Sequence, residues 1–297
     1  LRSGTPAEVQ GVLAELAVRL GSTTHPLEIR RACLALAAAP TNEAIAVLVA
    51  RLQQPASEGL VTAMCDGLGR LLRARPSGGD ATEQSAAQIL TAIAASPESS
   101  PHMVQSAMLA IAAMRSNGLD LLLELRKGRD RPADGYYTCL AGTGDPRSLP
   151  ELRSAFADPS VREGQQIEIV HAIGQVFQSS RLALTAVDAR EHEACAALVF
   201  AVLADGVAPD QLHSAAMRAL AQISPQDARV RTLLRQSLFA TADTRREGAL
   251  QAVYSDDTEA DPETLQLVRI LAESDERSDL RELARAILCK SSAEACW

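Results

Sequence analysis

The sequence predicts an all-α protein assembled from repeated pairs of helices, and three observations support this. Hydrophobic residues make up 47% of the 297 residues, and most of them are Ala and Leu, the strongest helix formers. Aromatic residues make up only 3%, whereas a β-rich core of this size normally contains more Phe, Tyr and Trp. Short breaks of Pro, Gly, Asp or Ser separate segments that have helical periodicity.

These breaks divide the chain into about eight pairs of helices with a mean period of about 36 residues, a spacing typical of helical solenoids. We expect the pairs at 5–20 with 26–39, 41–53 with 57–74, 81–95 with 100–114, 117–127 with 132–142, 147–157 with 161–178, 190–205 with 209–223, 226–240 with 243–254, and 261–274 with 278–291. Asp145-Pro146 and Asp261-Pro262 each place a cap before a first-turn proline, so they mark two of the helix starts. Residues 179–189 are expected to form an irregular connection, and 75–80 a flexible loop.

The second helix of a pair repeats one pattern, in which an apolar residue, often followed by Arg, precedes a small residue and another apolar residue at helical spacing. The pattern occurs as Ile29, Arg30, Cys33 and Leu36; as Val61, Cys65, Leu68 and Gly69; as Leu212, Ala216, Ala219 and Leu220; and as Leu280, Arg281, Ala284, Ile287 and Leu288. Each set shares one face of a helix. Small residues on that face let neighbouring helices approach closely.

This second helix resembles the HEAT repeat and the similar short repeats of phycobilin-lyase-like proteins, and the resemblance covers nearly the whole chain. It implies a HEAT-like solenoid, that is, a right-handed α-α superhelix forming a single domain over 1–297. It also implies that the second helices line a concave face that binds proteins. The motif specifies packing and contains no catalytic residue. The sequence departs from it in the short, Gly-rich fourth pair (ADGYYTCLAGTG) and again at 179–189.

Charge and composition exclude several classes of function. The net charge of −8 disfavours a nucleic-acid partner. No apolar run reaches the roughly 18–20 residues that span a bilayer, so we expect a soluble protein, with the cytoplasm favoured over the periplasm or secretion. The sequence begins at Leu1 rather than Met, so we expect a segment to precede it. It contains no nucleophile elbow, Gly-rich phosphate loop or paired-carboxylate motif.

The cysteines and histidines do not have the spacing of a metal site, so we expect no metal and no cofactor. Five cysteines lie in apolar helical patterns and are expected to be small buried hydrophobes: Cys33, Cys65, Cys139, Cys195 and Cys289. Cys289 and Cys296 would close a small loop if the compartment is oxidising.

The most distinctive local feature is the only dense basic cluster of an acidic chain, which two tyrosines follow. It consists of Arg126, Lys127, Arg129 and Arg131, with Tyr136 and Tyr137. Guanidinium groups beside aromatic rings suit the recognition of a carboxylate or phosphate on a protein partner. The alternative is a solvated loop whose arginines complement the C-terminus of a helix.

Polar side chains on the second helices form a further candidate surface, because the resemblance places them along the concave face. They are Arg30, Arg31, Gln105, Glu168, His171, Gln175, His213 and Arg218, of which His171 and Gln175 are the candidate binding residues. The alternative is that this face is merely solvated. The acidic stretch Asp256, Asp257, Glu259, Asp261 and Glu263 either caps a helix and aids solubility or docks a basic partner.

The sequence is compatible with three functional interpretations. The leading one is a non-enzymatic scaffold that binds a protein or peptide along the concave face, with an acidic partner among the candidates. The second is a repeat-type lyase or chaperone that handles a tetrapyrrole or another small ligand. The third is a structural module of a larger protein. A HEAT-like DNA glycosylase is disfavoured, because the chain is acidic and its single Trp is Trp297. The oligomeric state is not indicated.

Overall fold

The structure is a computed structural model of the chain. It describes residues 6–38, 40–75, 79–127, 129, 131–183, 186–255 and 260–291. Sixteen α-helices and no β-strand lie within those ranges. The helices are α1 (Pro6–Ser22), α2 (Pro26–Leu36), α3 (Asn42–Leu52), α4 (Glu58–Ala74), α5 (Ala81–Ala95), α6 (Pro101–Ala112), α7 (Ser116–Lys127), α8 (Tyr136–Gly142), α9 (Leu149–Phe156), α10 (Glu163–Leu182), α11 (Ala189–Ala204), α12 (Asp210–Ile223), α13 (Ala228–Leu238), α14 (Asp243–Ser255), α15 (Pro262–Ser274) and α16 (Ser278–Ser291).

The chain folds as two compact units, Leu1–Asp145 and Pro146–Trp297. In each unit the odd-numbered helices are the first helices of the pairs and the even-numbered helices are the second. In the first unit α2 packs on α4, α4 on α6 and α6 on α8, while α1, α3, α5 and α7 stack in the same way. In the second unit the stack of second helices runs from α10 through α12 and α14 to α16. The predicted all-α solenoid class is thus confirmed, whereas the single domain over 1–297 stays a prediction.

Capping residues begin many of these helices where the sequence places them. Thr41, Asp80 and Ser100 accept hydrogen bonds from backbone N–H groups of the first turns of α3, α5 and α6. Asp261 caps α15 by accepting from the N–H of Thr264 at 3.0 Å, as predicted. The predicted start at Asp145-Pro146 is a 3₁₀ turn instead, Pro146–Ser148, and α9 begins at Leu149. Pro150 has no N–H to donate to the carbonyl of Pro146, so an α-helical bond cannot form there.

Of the two segments predicted to be irregular, 179–189 is partly helical, and the flexibility expected at 75–80 stays a prediction. The prediction of an irregular connection at 179–189 is wrong at its start, because α10 continues through Leu182. Ser180 of this last turn is buried. At 75–80, Arg75 and Asp80 form a 2.6 Å ion pair; residues 76–78 lie outside the described ranges. The fourth pair is short, as predicted, and α8 follows Gly135, whose φ of 73° favours glycine.

Small residues bring neighbouring second helices close together, as the sequence pattern predicts. A Cβ atom built on Gly174 of α10 would lie 2.8 Å from the Cα of Ala219 on α12, and one built on Gly248 of α14 would lie 2.8 Å from the Cα of Ser214. Ala216 and Ala284, at the predicted small-residue positions, are fully buried. The stack therefore has no room for larger side chains at these crossings.

Candidate functional site

The second helices of the first unit form a groove of about 590 Å³ across α2, α4 and α6. Leu34 lies on the α2 side, Arg70 and Arg73 project from α4, and Leu109 lies on the α6 side. The floor includes Gly69 and Ala110. We call this feature the α2–α4–α6 groove.

The floor of the groove is low because it is built from small residues. A Cβ atom added to Gly69 would lie 3.0 Å from the Cα of Ala110, so α4 and α6 are in close contact there. Cys65 also lines the groove but is fully buried. Burial, with a smaller contribution from the charge of Asp66, raises the pKa of the Cys65 thiol to about 12. The thiol is therefore protonated and serves as part of the wall.

Two leucines on the flanks of the groove are unusually open to solvent. Leu34 is 62% exposed and Leu109 is 38% exposed. An exposed leucine is unremarkable alone, but two of them border one concave surface together with small apolar residues. Such clustered apolar surface is typical of a binding site.

The charges in the groove are unequally compensated. Arg30 of α2 reaches across to Asp66 of α4 at 3.2 Å, so this pair is neutral overall. Arg70 and Arg73 are exposed, and within the described part of the chain they have no ion pair or side-chain hydrogen bond. The groove thus holds two uncompensated guanidinium groups in a chain whose net charge is −8.

The second helices of the second unit carry a row of polar contacts that crosses α10, α12 and α14. Arg218 donates to the amide oxygen of Gln251 at 2.7 Å and also contacts the His171 ring. Gln251 in turn donates to Glu247 at 2.9 Å. The sequence pattern points to His171 and Arg218 but not to Gln251, although Gln251 lies one repeat after Arg218 at the equivalent helical position. We call this row the polar ladder.

The protonation states of the polar ladder follow from its burial. Burial, assisted by the positive charge of Arg218, lowers the pKa of His171 to about 4. His171 is therefore neutral at physiological pH, which lets a ring nitrogen accept from the Arg218 guanidinium. Gln175, the other predicted binding residue on α10, is exposed. His213 of α12 is nine-tenths buried, and burial lowers its pKa as well.

Much of the predicted basic cluster is used to join helix ends. Arg126 donates to the carbonyl oxygen of Arg129 at 2.6 Å, and the Arg129 guanidinium donates to the carbonyl oxygen of Ala94 in the last turn of α5. These contacts match the helix C-terminus interpretation. Lys127 pairs with Glu124 at 2.7 Å on the surface. Arg131 is exposed, and a binding role for it and for Lys127 stays a prediction.

The two tyrosines that follow the cluster lie in the core of the first unit. Tyr136 and Tyr137 are 2% and 4% exposed, and their rings meet edge to face with centroids 5.5 Å apart. The helix that carries them has only seven residues, and both rings are among the side chains that it buries. They offer no ring surface to a partner, and we do not retain them as binding residues.

The remaining candidates are structural or fall outside the described ranges. Asp261 and Glu263 both pair with Arg235, so the described part of the acidic stretch joins α13 to α15. Asp256, Asp257 and Glu259 lie outside the described residues, and so does Cys296 of the disulfide considered above.

Among the described residues, no group of three or more His, Cys, Asp or Glu side chains is placed to bind a metal ion. None of the described helices is long and apolar enough to cross a membrane.

Comparison with known proteins does not identify a family for this chain. No protein-family model matches the sequence, and no curated protein matches it. The solved structures that match include human deoxyhypusine hydroxylase in complex with glycerol, which is 17% identical with a TM-score of 0.37, covering 98% of this chain and 100% of that chain. Its name is that of an enzyme, and we do not retain the expectation that this chain is non-enzymatic. Its substrate and chemistry do not transfer at this level of similarity. What is shown for this chain is an all-α protein of stacked helix pairs.

Proposed function

We propose that this chain is a binding protein of the HEAT-repeat type, which holds a segment of a protein partner against its second helices. The α2–α4–α6 groove is the observation that carries the proposal. It combines two exposed leucines, Leu34 and Leu109, with two exposed arginines that have no ion-pair partner among the described residues.

The energetics of the groove favour occupation by a peptide segment. Covering the open parts of Leu34 and Leu109 would contribute about 1 kcal/mol each, because apolar area is removed from water. Arginine is enriched among the residues that dominate protein interfaces, since it combines apolar contact with several hydrogen-bond donors. Stacked helices supply an extended surface beyond the groove, which a stable interface of about 800 Å² per partner requires.

The proposal is tested by comparing the proteins retained from an extract of the native source by matched variants. The groove variant carries Leu34→Asp and Leu109→Asp. The control carries Val18→Asp and Leu182→Asp. Both positions hold aliphatic residues that lie outside the groove and are at least as exposed as Leu34 and Leu109. Because both variants add two negative charges, the effect of added charge alone on the proteins retained is matched.

We expect one or more proteins to bind the parent and the control and to be lost from the groove variant. Each such protein is then purified and titrated against all three chains, so that direct binding is measured. If every retained protein binds the groove variant as well as the parent, the proposal is wrong.

A further inference from the structure

We infer that the α2–α4–α6 groove recognises an acidic protein segment in which two carboxylates, about one helical turn apart, are flanked by leucine-sized side chains. This inference rests on the proposed function and adds the chemical class of the ligand. It also places the charge recognition at Arg70 and Arg73 and not at the basic cluster that the sequence makes conspicuous.

The charge argument begins with the spacing of the two arginines. Arg70 and Arg73 are three residues apart on α4, which places their side chains on one face about 5–6 Å apart at the Cβ atoms. Each guanidinium can donate two parallel hydrogen bonds to one carboxylate. Asp66, the acidic residue of the groove lining, is already engaged by Arg30. Two carboxylates of a ligand would therefore meet two positive groups that lack compensation.

The rest of the protein surface makes this attraction selective. The chain carries 37 acidic and 29 basic residues, so an acidic segment is repelled on average. In the groove the balance is reversed over a short distance, which binds the segment in one place. Unfavourable charge elsewhere is itself a source of specificity.

Apolar contacts determine what surrounds the two carboxylates. Leu34 and Leu109 lie on α2 and α6, one on each side of α4, and packed helices are about 8–10 Å apart. The leucines therefore bracket the arginines. The low floor at Gly69 and Ala110 leaves room for a ligand side chain between them. An apolar residue on each side of an acidic pair fits this arrangement.

The groove favours carboxylates over a phosphate group. Phosphate sites usually gather several donors, including free backbone N–H groups at a helix N-terminus. The groove is lined by residues of α2, α4 and α6 and by Ala37, which follows α2, and their backbone N–H groups are already bonded to carbonyl groups of the same helices. Two separate guanidinium groups on one helix match two separate carboxylates.

The inference is tested by selecting peptides of about 12 residues from a random display library, a length that spans about 18 Å as a helix. Selected peptides are synthesised and titrated against the parent, against Arg70→Gln with Arg73→Gln, and against a control with Arg190→Gln and Arg269→Gln. The control arginines are exposed residues of the second unit, so both variants lose two positive charges.

We expect the selected peptides to contain two or more Asp or Glu residues between aliphatic or aromatic residues. We expect the groove variant to bind them about tenfold more weakly, the loss to shrink as salt is raised from about 50 to about 500 mM, and the control to bind normally. Equal binding by the groove variant would overturn the inference.

Four other outcomes separate the inference from the proposed function. Selected peptides that lack acidic residues but lose binding with Leu34→Asp and Leu109→Asp would overturn the inference and leave the proposed function in place. Peptides insensitive to every groove substitution, or the absence of any binding peptide, would contradict both. Replacing the two carboxylates by one phosphoserine should weaken binding, and a gain of affinity would overturn the carboxylate assignment.

Discussion

The Arg246 guanidinium donates a 2.8 Å hydrogen bond to the Asp275 carboxylate, and these side chains are only 14% and 2% exposed. Arg246 lies in α14, whereas Asp275 lies between α15 and α16. Asp275 also accepts from the backbone N–H of Arg277 at 3.0 Å, and Arg246 also pairs with Asp243 at 2.7 Å. This buried pair joins the last two helix pairs of the second unit.

We predict that Asp275→Asn destabilises the second unit by about 3 kcal/mol, because the buried guanidinium of Arg246 loses the charge of its buried partner and keeps only the more exposed Asp243 carboxylate. Asp279→Asn is the matched control, since Asp279 pairs with Arg277 on the surface, where solvent screens the pair, and its loss should destabilise the protein much less. Urea unfolding measures both. Equal effects of the two substitutions would show that burial of the pair is unimportant.

The same pair predicts a pH dependence of stability. Burial alone would raise the pKa of Asp275, but hydrogen bonds from Arg246 and the N–H of Arg277, with the charges of both arginines, hold that pKa below its usual range. A carboxylate whose pKa is lowered on folding stabilises the fold above its unfolded value of about 3.9, and this contribution disappears as the pH falls through the folded value. The stability difference between the parent and Asp275→Asn should therefore be constant from neutral pH to about pH 5 and shrink below about pH 4. A difference that is unchanged at pH values below both pKa values would contradict this assignment.

The small residues of the second helices give a packing prediction. Ala216→Leu and Ala284→Leu should each destabilise the protein by about 1–3 kcal/mol, because both side chains are fully buried in the helix stack. Ala286→Leu on the same helix as Ala284 is exposed and should change stability by less than about 0.5 kcal/mol. Thermal unfolding distinguishes them, and melting of all three at the temperature of the parent would contradict the helix register.

Two glycines of α10 separate helix propensity from close packing. At Gly174 a Cβ atom would lie 2.8 Å from the backbone of Ala219, whereas at Gly164 nothing lies within 4 Å. Alanine is favoured over glycine in a helix by up to about 1 kcal/mol. Gly164→Ala should therefore be neutral or stabilising, and Gly174→Ala should be destabilising despite the same gain in propensity. Stabilisation by both would show that α10 and α12 are not in such close contact.

The helix pairs could be predicted from the sequence because periodicity and capping act locally. The breaks before Thr41, Asp80 and Asp261 specify helix starts without any knowledge of the neighbours. Small residues such as Ala216 and Ala284 were likewise identified from the repeated pattern. These features depend on spacing along a single helix, which the sequence contains directly.

The candidate groove could not be predicted, because exposure depends on what packs against each face. The repeat pattern places Leu36, which is buried, on the packed face of α2 and leaves Leu34 off that face, but it does not show that the open Leu34 borders a groove with α4 and α6. The basic cluster was misleading for the same reason, since Arg126 and Arg129 have backbone carbonyl partners that the sequence does not reveal. Tyr136 and Tyr137 are in a helix of two turns, too short for its pattern to indicate a buried face.

Photo-crosslinking from the groove tests most directly whether a partner segment lies there. Benzoylphenylalanine replaces Leu34 in one chain and Leu182, which is more exposed and lies outside the groove, in another. Each chain is irradiated with a partner identified by the matched variants. We expect a crosslink from position 34 to a segment of the partner that is rich in Asp or Glu and aliphatic residues. We expect this crosslink to be lost when Arg70 and Arg73 are both changed to Glu. Crosslinking from position 182 and not from position 34 would contradict it.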